Sequence, residues 1–181
     1  MDTEEKYMSH LQGVVKIPTV SSVNDENTDW SQFDRLHQYM QEAWPLIFEK
    51  LSLTRIGKAS LLFHWKSENL KKEPVLFMAH QDVVPAIHEK QWSHPPFGGE
   101  VDEGCLWGRG AEDCKSVLTA EMDAVEELLE EGFAPDFDIY LSFGHNEEVQ
   151  CTPDKKGSVL TAAYLKEQGI HLACLFDEGG N

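Results

Sequence analysis

Histidine and carboxylate side chains stand directly after the predicted strands of this chain. In chain order they are His80 and Asp82 after residues 75–79, Glu147 and Glu148 after residues 137–143, and Asp177 after residues 172–176. Ligands of open α/β sheets bind at the C-terminal ends of the strands, so we expect these side chains to converge. Carboxylates that converge in a partly dry cleft repel one another unless cations neutralise them. One histidine among carboxylates suits zinc, cobalt or manganese, and the pattern therefore predicts a metal site.

The spacing within each pair suggests how the chemistry is divided. His80 and Asp82 are two residues apart, so in an extended segment both side chains leave on one face and the carboxylate can orient the imidazole. Glu147 and Glu148 are adjacent and should face different directions, which suits one metal ligand and one general base. The alternatives are a coincidental pair at a strand end and a solvated acidic turn.

Asp113 lies in a glycine-containing segment, Trp-Gly-Arg-Gly-Ala-Glu-Asp-Cys-Lys, at residues 107–115. Glycines allow a tight backbone here, and the amides at the start of the helix that follows can support a carboxylate. Asp113 is therefore a candidate bridging ligand between two metals. Taken alone, an aspartate at such a place is more commonly a helix N-cap.

The elements that position these residues follow from the apolar periodicity. It predicts helices at residues 4–17, 33–50 with a kink at Pro45, 115–131 and 157–168, and strands at residues 60–65, 75–79, 137–143 and 172–176. Residues 85–104 show no sustained period and predict a long ordered loop. Strands that alternate with helices indicate an α/β fold, a three-layer sandwich with a largely parallel sheet.

The acidic composition narrows the range of partners. The formal net charge is −17, from 32 acidic against 15 basic residues, and such a surface repels nucleic acid and anionic lipid. We therefore expect neither nucleic acid nor a membrane as a partner. Most of the carboxylates are interpreted as solvated helix faces, for example Glu126, Glu127, Glu130 and Glu131.

The N-terminal residues lack the basic start and apolar run of a secretory signal, and no later stretch is long enough to span a bilayer. A cytoplasmic location is therefore expected. The four cysteines show no C-x-x-C spacing, so we interpret them as reduced, mostly structural thiols.

Four ordered motifs together resemble metallopeptidase family twenty, the aminoacylase and carboxypeptidase S group of co-catalytic zinc hydrolases. The motifs are His80-Gln81-Asp82-Val83-Val84-Pro85, Gly108-Arg109-Gly110-Ala111 with Asp113 and Lys115, Glu147-Glu148, and Asp177-Glu178-Gly179-Gly180. Residues 92–97 and Phe143-Gly144-His145 are most similar to the carboxypeptidase S branch. The resemblance implies a zinc-exopeptidase-like fold and hydrolysis of an amide bond in small peptides or N-acyl amino acids.

The resemblance also implies a role for each site residue. His80 and Asp177 would hold one zinc ion, Glu148 would hold the other, and Asp113 would bridge the two. Asp82 would then orient His80. Glu147 would act as general base on the bridging water and afterwards return the proton to the leaving amine.

The sequence departs from the family pattern at two places. One is Asn146, and the other is residues 149–156, which stand where a glycine-rich turn is expected. In family members the chain also continues past the last motif into a lid or dimerisation domain. It then returns to the catalytic domain, where a late histidine completes the second metal site. Residues 1–181 are therefore expected to be the N-terminal part of the catalytic metal-binding domain, with dimerisation through a domain not included in them. On its own this stretch is expected to hold the second cation weakly and to hydrolyse poorly.

Four other histidines are possible substitutes for the late ligand. His145 is near enough to the glutamates to matter, whereas His88, His94 and His171 are interpreted as surface or packing residues. Two further hypotheses remain beside the hydrolase. One is a non-catalytic metal-binding fragment or interaction module, and the other is an acidic scaffold without metal.

Overall fold

The computed structural model of the chain describes residues 3–68 and 72–178. The helices are α1 (Thr3–Val15), α2 (Trp30–Ala43), α3 (Pro45–Lys50), α4 (Val117–Glu130) and α5 (Gly157–Glu167). The strands are β1 (Ser52–Ile56), β2 (Ser60–Trp65), β3 (Val75–His80), β4 (Glu100–Asp102), β5 (Cys105–Trp107), β6 (Ile139–Gly144) and β7 (Cys174–Phe176). All of the predicted helices and strands are therefore present.

Within the described residues the main sheet has the strand order β1-β2-β6-β3-β7. Strand β3 pairs in parallel with both β6 and β7, while β2 is antiparallel to β1 and to β6. Four of these strands thus run in one direction and β2 opposes them. The predicted strand at residues 75–79 is an interior strand, and its parallel neighbour β6 ends beside it, with His80 paired to Gly144.

The sheet lies between two layers of helices, as predicted for a three-layer sandwich. One face packs against α1 to α4 in the larger core, which includes Trp44, Phe63, Leu118 and Phe143. The other face packs against α5 through a smaller core that includes Leu76 and Leu165. The interior strands are apolar because both of their faces are covered.

Three local details were not predicted. The edge strand β1 has no clear strand pattern in the sequence, because it is half exposed and carries Thr54 and Arg55 rather than a continuous apolar run. The loop prediction for residues 85–104 was too broad, since β4 within it and β5 just after it form a hairpin. The predicted kink at Pro45 is a complete break at Trp44 (φ −129°, ψ 64°), because a residue before proline avoids the helical conformation.

The interpretation of Glu126 as a solvated residue was wrong. Its side chain is buried in α4, and its carboxylate accepts hydrogen bonds from the backbone N–H groups of Leu46 and Ile47 at 2.9 and 3.0 Å. These amides belong to the first turn of α3, where the helix itself supplies no acceptor. Glu130 and Glu131 are exposed, as expected.

Glu126→Gln should lower the free energy of unfolding by about 1.5–3 kcal/mol, the usual contribution of hydrogen bonds to a charged group. An amide keeps one acceptor but places its NH₂ group against the second backbone N–H. Chemical denaturation followed by circular dichroism measures the change, with Glu130→Gln on the exposed face of α4 as the charge-matched control. Equal denaturation midpoints for the two variants would contradict the capping role.

Among the described residues, none of the helices is both long and apolar enough to cross a membrane. The cytoplasmic location expected from the sequence stays a prediction.

Candidate metal centre

His80 lies at the end of β3, and its side chain is 3% exposed. The ring is held by a 2.9 Å hydrogen bond between Nδ1 and the backbone carbonyl of Asp82. This bond leaves Nε2 facing the cleft, where it lies 2.8 Å from Oδ1 of Asp113. A histidine fixed through one nitrogen with the other directed at carboxylates is typical of a metal ligand.

Asp113 is placed by an irregular turn, Ala111–Ser116, that precedes α4. Its backbone is non-helical (φ −106°, ψ 101°), and the N-cap position of α4 is Ser116, whose side chain makes no capping hydrogen bond. Gly110 at the start of the turn has a left-handed φ of 76°, and a Cβ there would lie 2.3 Å from Cγ1 of Val83. The N-cap alternative for Asp113 is therefore wrong, and the glycine is needed for both conformation and space.

Asp82 is fully buried and joins two parts of the cleft. Its carboxylate accepts hydrogen bonds from Ser21 Oγ at 2.6 Å and from the backbone N–H groups of Glu147 and Glu148 at 3.1 and 3.2 Å. The nearer carboxylate oxygen lies 3.7 Å from Nδ1 of His80. The ring is therefore oriented through the backbone of Asp82, while its carboxylate holds the segment that carries the two glutamates. An orienting effect of the carboxylate itself on the ring stays a prediction.

Glu147 and Glu148 follow β6 after a sharp turn of the backbone at Asn146. Asn146 has a left-handed φ of 57°, a conformation that asparagine tolerates better than most residues, and its Nδ2 donates to the carbonyl of Lys155. The asparagine noted as a departure from the family pattern therefore suits its position. Glu147 then reaches back toward the cleft, with Oε2 3.9 Å from Nε2 of His80.

Four side chains with ligand-type atoms converge at this point among the described residues, all mutually within 4.8 Å. They are His80, Asp113, Cys114 and Glu178. The Cys114 sulfur accepts the N–H of His80 at 3.0 Å, and burial raises the pKa of its thiol. A protonated thiol that contacts the backbone is a poor ligand, so the fitting donors are the imidazole and the carboxylates.

The last motif is only partly as expected. Glu178, to which the sequence assigned no role, places Oε2 3.4 Å from Nε2 of His80. Asp177, the residue that the resemblance implies as a ligand, is exposed and accepts the N–H of Glu178 through Oδ1. The carboxyl of Glu121 on α4 has a pKa raised to about 8, first by burial and then by the charge of Asp177. Gly179 and Gly180 lie outside the described residues.

The electrostatics of the cleft favour a bound cation. Burial alone lowers the pKa of His80, but neighbouring carboxylates more than offset this effect and raise it overall; they are Asp82, Glu178, Asp113 and Glu147. Burial raises the pKa values of Glu147 and Glu148, and the surrounding acidic groups raise them further against the opposing effect of His80. The carboxylates thus repel one another, and a divalent cation would relieve this repulsion. The donor set of imidazole and carboxylates fits zinc, cobalt or manganese.

The remaining histidine candidates lie outside this cluster. His145 is buried, with Nδ1 2.6 Å from Ser60 Oγ and its ring edge-on to Trp30. His88 and His171 are exposed. His94 lies 2.9 Å from Glu100 on the β4–β5 hairpin. The interpretation of His88, His94 and His171 as surface or packing residues agrees with these positions.

Comparison with known proteins identifies the family. The profile of Peptidase family M20/M25/M40 matches residues 76–181, more than half of the chain, and this match includes every proposed ligand. The chain belongs to this family. The resemblance drawn from the four motifs is therefore confirmed.

Similar curated proteins cover most of this chain. Carboxypeptidase S of Saccharomyces cerevisiae is 38% identical over 93% of the chain, and the N-fatty-acyl-amino acid synthase/hydrolase PM20D1 of Mus musculus is 35% identical over 93%. These stretches amount to 31% and 33% of the two relatives. The chain thus spans about a third of the length of the curated relatives it matches.

Solved structures confirm the fold. An M20 family metallo-carboxypeptidase from Sulfolobus solfataricus superposes with a TM-score of 0.70 at 21% identity, covering 100% of this chain and 38% of that one. The dipeptidase Dug1p from Saccharomyces cerevisiae gives a TM-score of 0.68 at 22% identity, covering 91% and 35%. The α/β exopeptidase-like fold predicted from the motifs is therefore present.

Asp82→Asn should weaken zinc binding by about ten- to a hundredfold, as loss of a group that supports metal ligands usually does. An asparagine places an NH₂ donor where the carboxylate now accepts from Ser21 and from two backbone N–H groups, so the glutamate segment would shift. Isothermal titration with zinc measures the effect, and Asp102→Asn on the exposed hairpin is the control. A zinc titration that overlays the wild type would show that Asp82 does not support the site.

Proposed function

We propose that this chain carries the metal-binding and catalytic residues of a hydrolase that cleaves an amide bond in small peptides or N-acyl amino acids. The observation that carries the proposal is the convergence on Nε2 of His80, which has carboxylate oxygens of Asp113, Glu178 and Glu147 at 2.8, 3.4 and 3.9 Å. Membership of a peptidase family supports the reaction class.

The proposed ligand set follows the family pattern. His80 and Asp177 would hold one zinc ion, Glu148 would hold a second, and Asp113 would serve both. The short contact between His80 and Asp113 supports this arrangement, since both side chains already face the same point. When bound, the two cations would lower the pKa of a water molecule between them and polarise the substrate carbonyl.

Glu147 is the proposed general base. Its side chain is half exposed, so a water molecule and a substrate can reach it, and its backbone N–H is fixed by Asp82. The carboxylate takes a proton from the attacking water, whose oxygen forms a bond to the amide carbon. The same group then gives this proton to the amine nitrogen as the carbon–nitrogen bond breaks.

The choice of substrates rests on the relatives. Carboxypeptidase S and an N-fatty-acyl-amino acid synthase/hydrolase are both similar to this chain over most of its length. Both names indicate bonds in which an acyl group is joined to the nitrogen of an amino acid. Small peptides and N-acyl amino acids are therefore the substrates to test first. The proposal also includes a homodimeric enzyme located in the cytoplasm.

The proposal is tested by metal analysis together with hydrolysis assays. We expect the full-length protein to contain zinc by mass spectrometry, to release amino acids from dipeptides or N-acyl amino acids, and to lose this activity on chelation. Readdition of zinc, cobalt or manganese should restore it, which separates metal loss from unfolding. Tight metal binding without any hydrolysis would instead favour a non-catalytic metal-binding module.

A further inference from the structure

Gln81 stands between His80 and Asp82, and none of the roles described so far uses its side chain. The residue is fully buried. Its Nε2 donates to the carbonyls of Ala59 at 2.9 Å and Phe143 at 2.7 Å. Because an amide oxygen cannot face two carbonyl oxygens, these contacts settle which end of the amide is nitrogen.

The amide oxygen of Gln81 is in turn held by His37 on α2. Oε1 lies 2.7 Å from Nε2 of His37, which must therefore carry a proton. On the other side of the ring, NH1 of Arg55 donates to Nδ1 at 3.0 Å, so Nδ1 is unprotonated. Burial lowers the pKa of His37 and outweighs the opposing effect of its hydrogen bond to Gln81, and the charge of Arg55 lowers the pKa further. Hydrogen bonds thus connect Arg55 on the half-exposed strand β1, through His37, to the buried amide of Gln81. We call these three side chains the relay.

The amide of Gln81 contacts β6, the strand that precedes the proposed base. Phe143 belongs to β6, and Glu147 and Glu148 follow its end within a few residues. The backbone N–H of Gln81 also donates to the carbonyl of Gly144 at 2.9 Å. Gln81 thus joins the end of β3, which carries His80, to the end of β6 and to the β1–β2 turn at Ala59.

We propose that Gln81 is a positioning residue that sets the end of β6 against His80, and that its amide is kept in the working orientation by the neutral ring of His37 and by Arg55. This inference rests on the proposed function, because it assigns the alignment of His80 with the two glutamates to this relay. If the oxygen of Gln81 lost its donor, it would be buried without a hydrogen bond, and the amide would be less firmly held against the carbonyls of Ala59 and Phe143.

The test compares two substitutions of His37 in the zinc-loaded protein. Glutamine can extend an N–H toward the position of Nε2 and so preserve the bond to Gln81, whereas leucine fills a similar volume without a donor. His37→Leu should weaken zinc binding and lower kcat by about tenfold or more, with KM within about twofold, because the ligands move while the substrate surface does not. His37→Gln should stay within about threefold of the wild type in both quantities.

A packing role alone predicts the opposite order, since a buried apolar site accepts leucine more readily than glutamine. Zinc affinity of His37→Leu equal to or higher than that of His37→Gln would therefore overturn the proposal. Zinc affinity is measured without turnover, so the comparison remains decisive even if the wild-type protein binds zinc and fails to hydrolyse any substrate. A wild-type protein that binds zinc but hydrolyses no substrate would contradict the proposed function and not the role of Gln81.

Arg55 is the exposed residue of the relay, so it can be replaced without changing the buried core. Arg55→Met should weaken zinc binding in the same direction by a smaller factor, about two- to fivefold, because the tautomer of His37 is then less strictly set. Lys58→Met, on the exposed β1–β2 turn, is the charge-matched control and should match the wild type. Zinc affinity of Arg55→Met indistinguishable from that control would overturn the part assigned to Arg55.

Discussion

Glu147→Gln should leave zinc bound and lower kcat by about a hundredfold or more, within the usual range for removal of a general base. Glutamine has the same shape as glutamate but cannot take a proton from the attacking water. The change should not disturb the local backbone, because Asp82 holds residue 147 through its N–H rather than through its side chain. The measurements are zinc content by mass spectrometry and steady-state hydrolysis of the best substrate.

Glu148→Gln is the matched control, since it makes the same chemical change one residue further along. We expect it to lose metal from the second site, because Glu148 is a proposed ligand, and activity should be partly recovered at high zinc concentration. Full activity in Glu147→Gln would rule out its role as the base. Loss of zinc from Glu147→Gln with zinc retained in Glu148→Gln would exchange the two assignments.

Asp177→Asn should weaken zinc binding by about a hundredfold or more, a larger loss than the ten- to hundredfold typical of groups that only support a ligand. The expectation follows the family pattern, in which this aspartate completes the site of His80. Its carboxylate is exposed and, among the described residues, accepts a hydrogen bond from the adjacent N–H, so it can turn toward a cation at little cost. Competition with a fluorescent chelator measures the affinity.

Glu178→Gln separates the two neighbouring carboxylates of the last motif. Glu178 lies 3.4 Å from Nε2 of His80, where its charge attracts a cation without the need for direct coordination. We therefore expect a loss in zinc affinity of less than about tenfold, as for a group outside the ligand set. A larger loss in Glu178→Gln than in Asp177→Asn would transfer the role of ligand to Glu178.

The amino-acid sequence by itself determined the fold class and the place of the candidate metal site. The apolar runs of β3 and β6 were recognisable because both faces of these strands are covered, and the stripe of α4 because one face is buried. Polar residues directly after such strands had to meet at one edge of the sheet, since the parallel strands end together. The four motifs then identified the family, because their order along the chain is specific.

Only the tertiary structure decided which partner each polar group has. Glu126 and Glu130 look alike on a helical wheel, yet one is buried against the start of α3 because a second helix packs there. Likewise, the carboxylate of Asp82 faces the amides of Glu147 and Glu148, a contact over more than sixty positions of sequence. The link from Arg55 through His37 to Gln81 joins three elements that no local pattern connects. Local periodicity reports whether a face is buried, whereas the identity of a hydrogen-bond partner depends on which distant element covers that face.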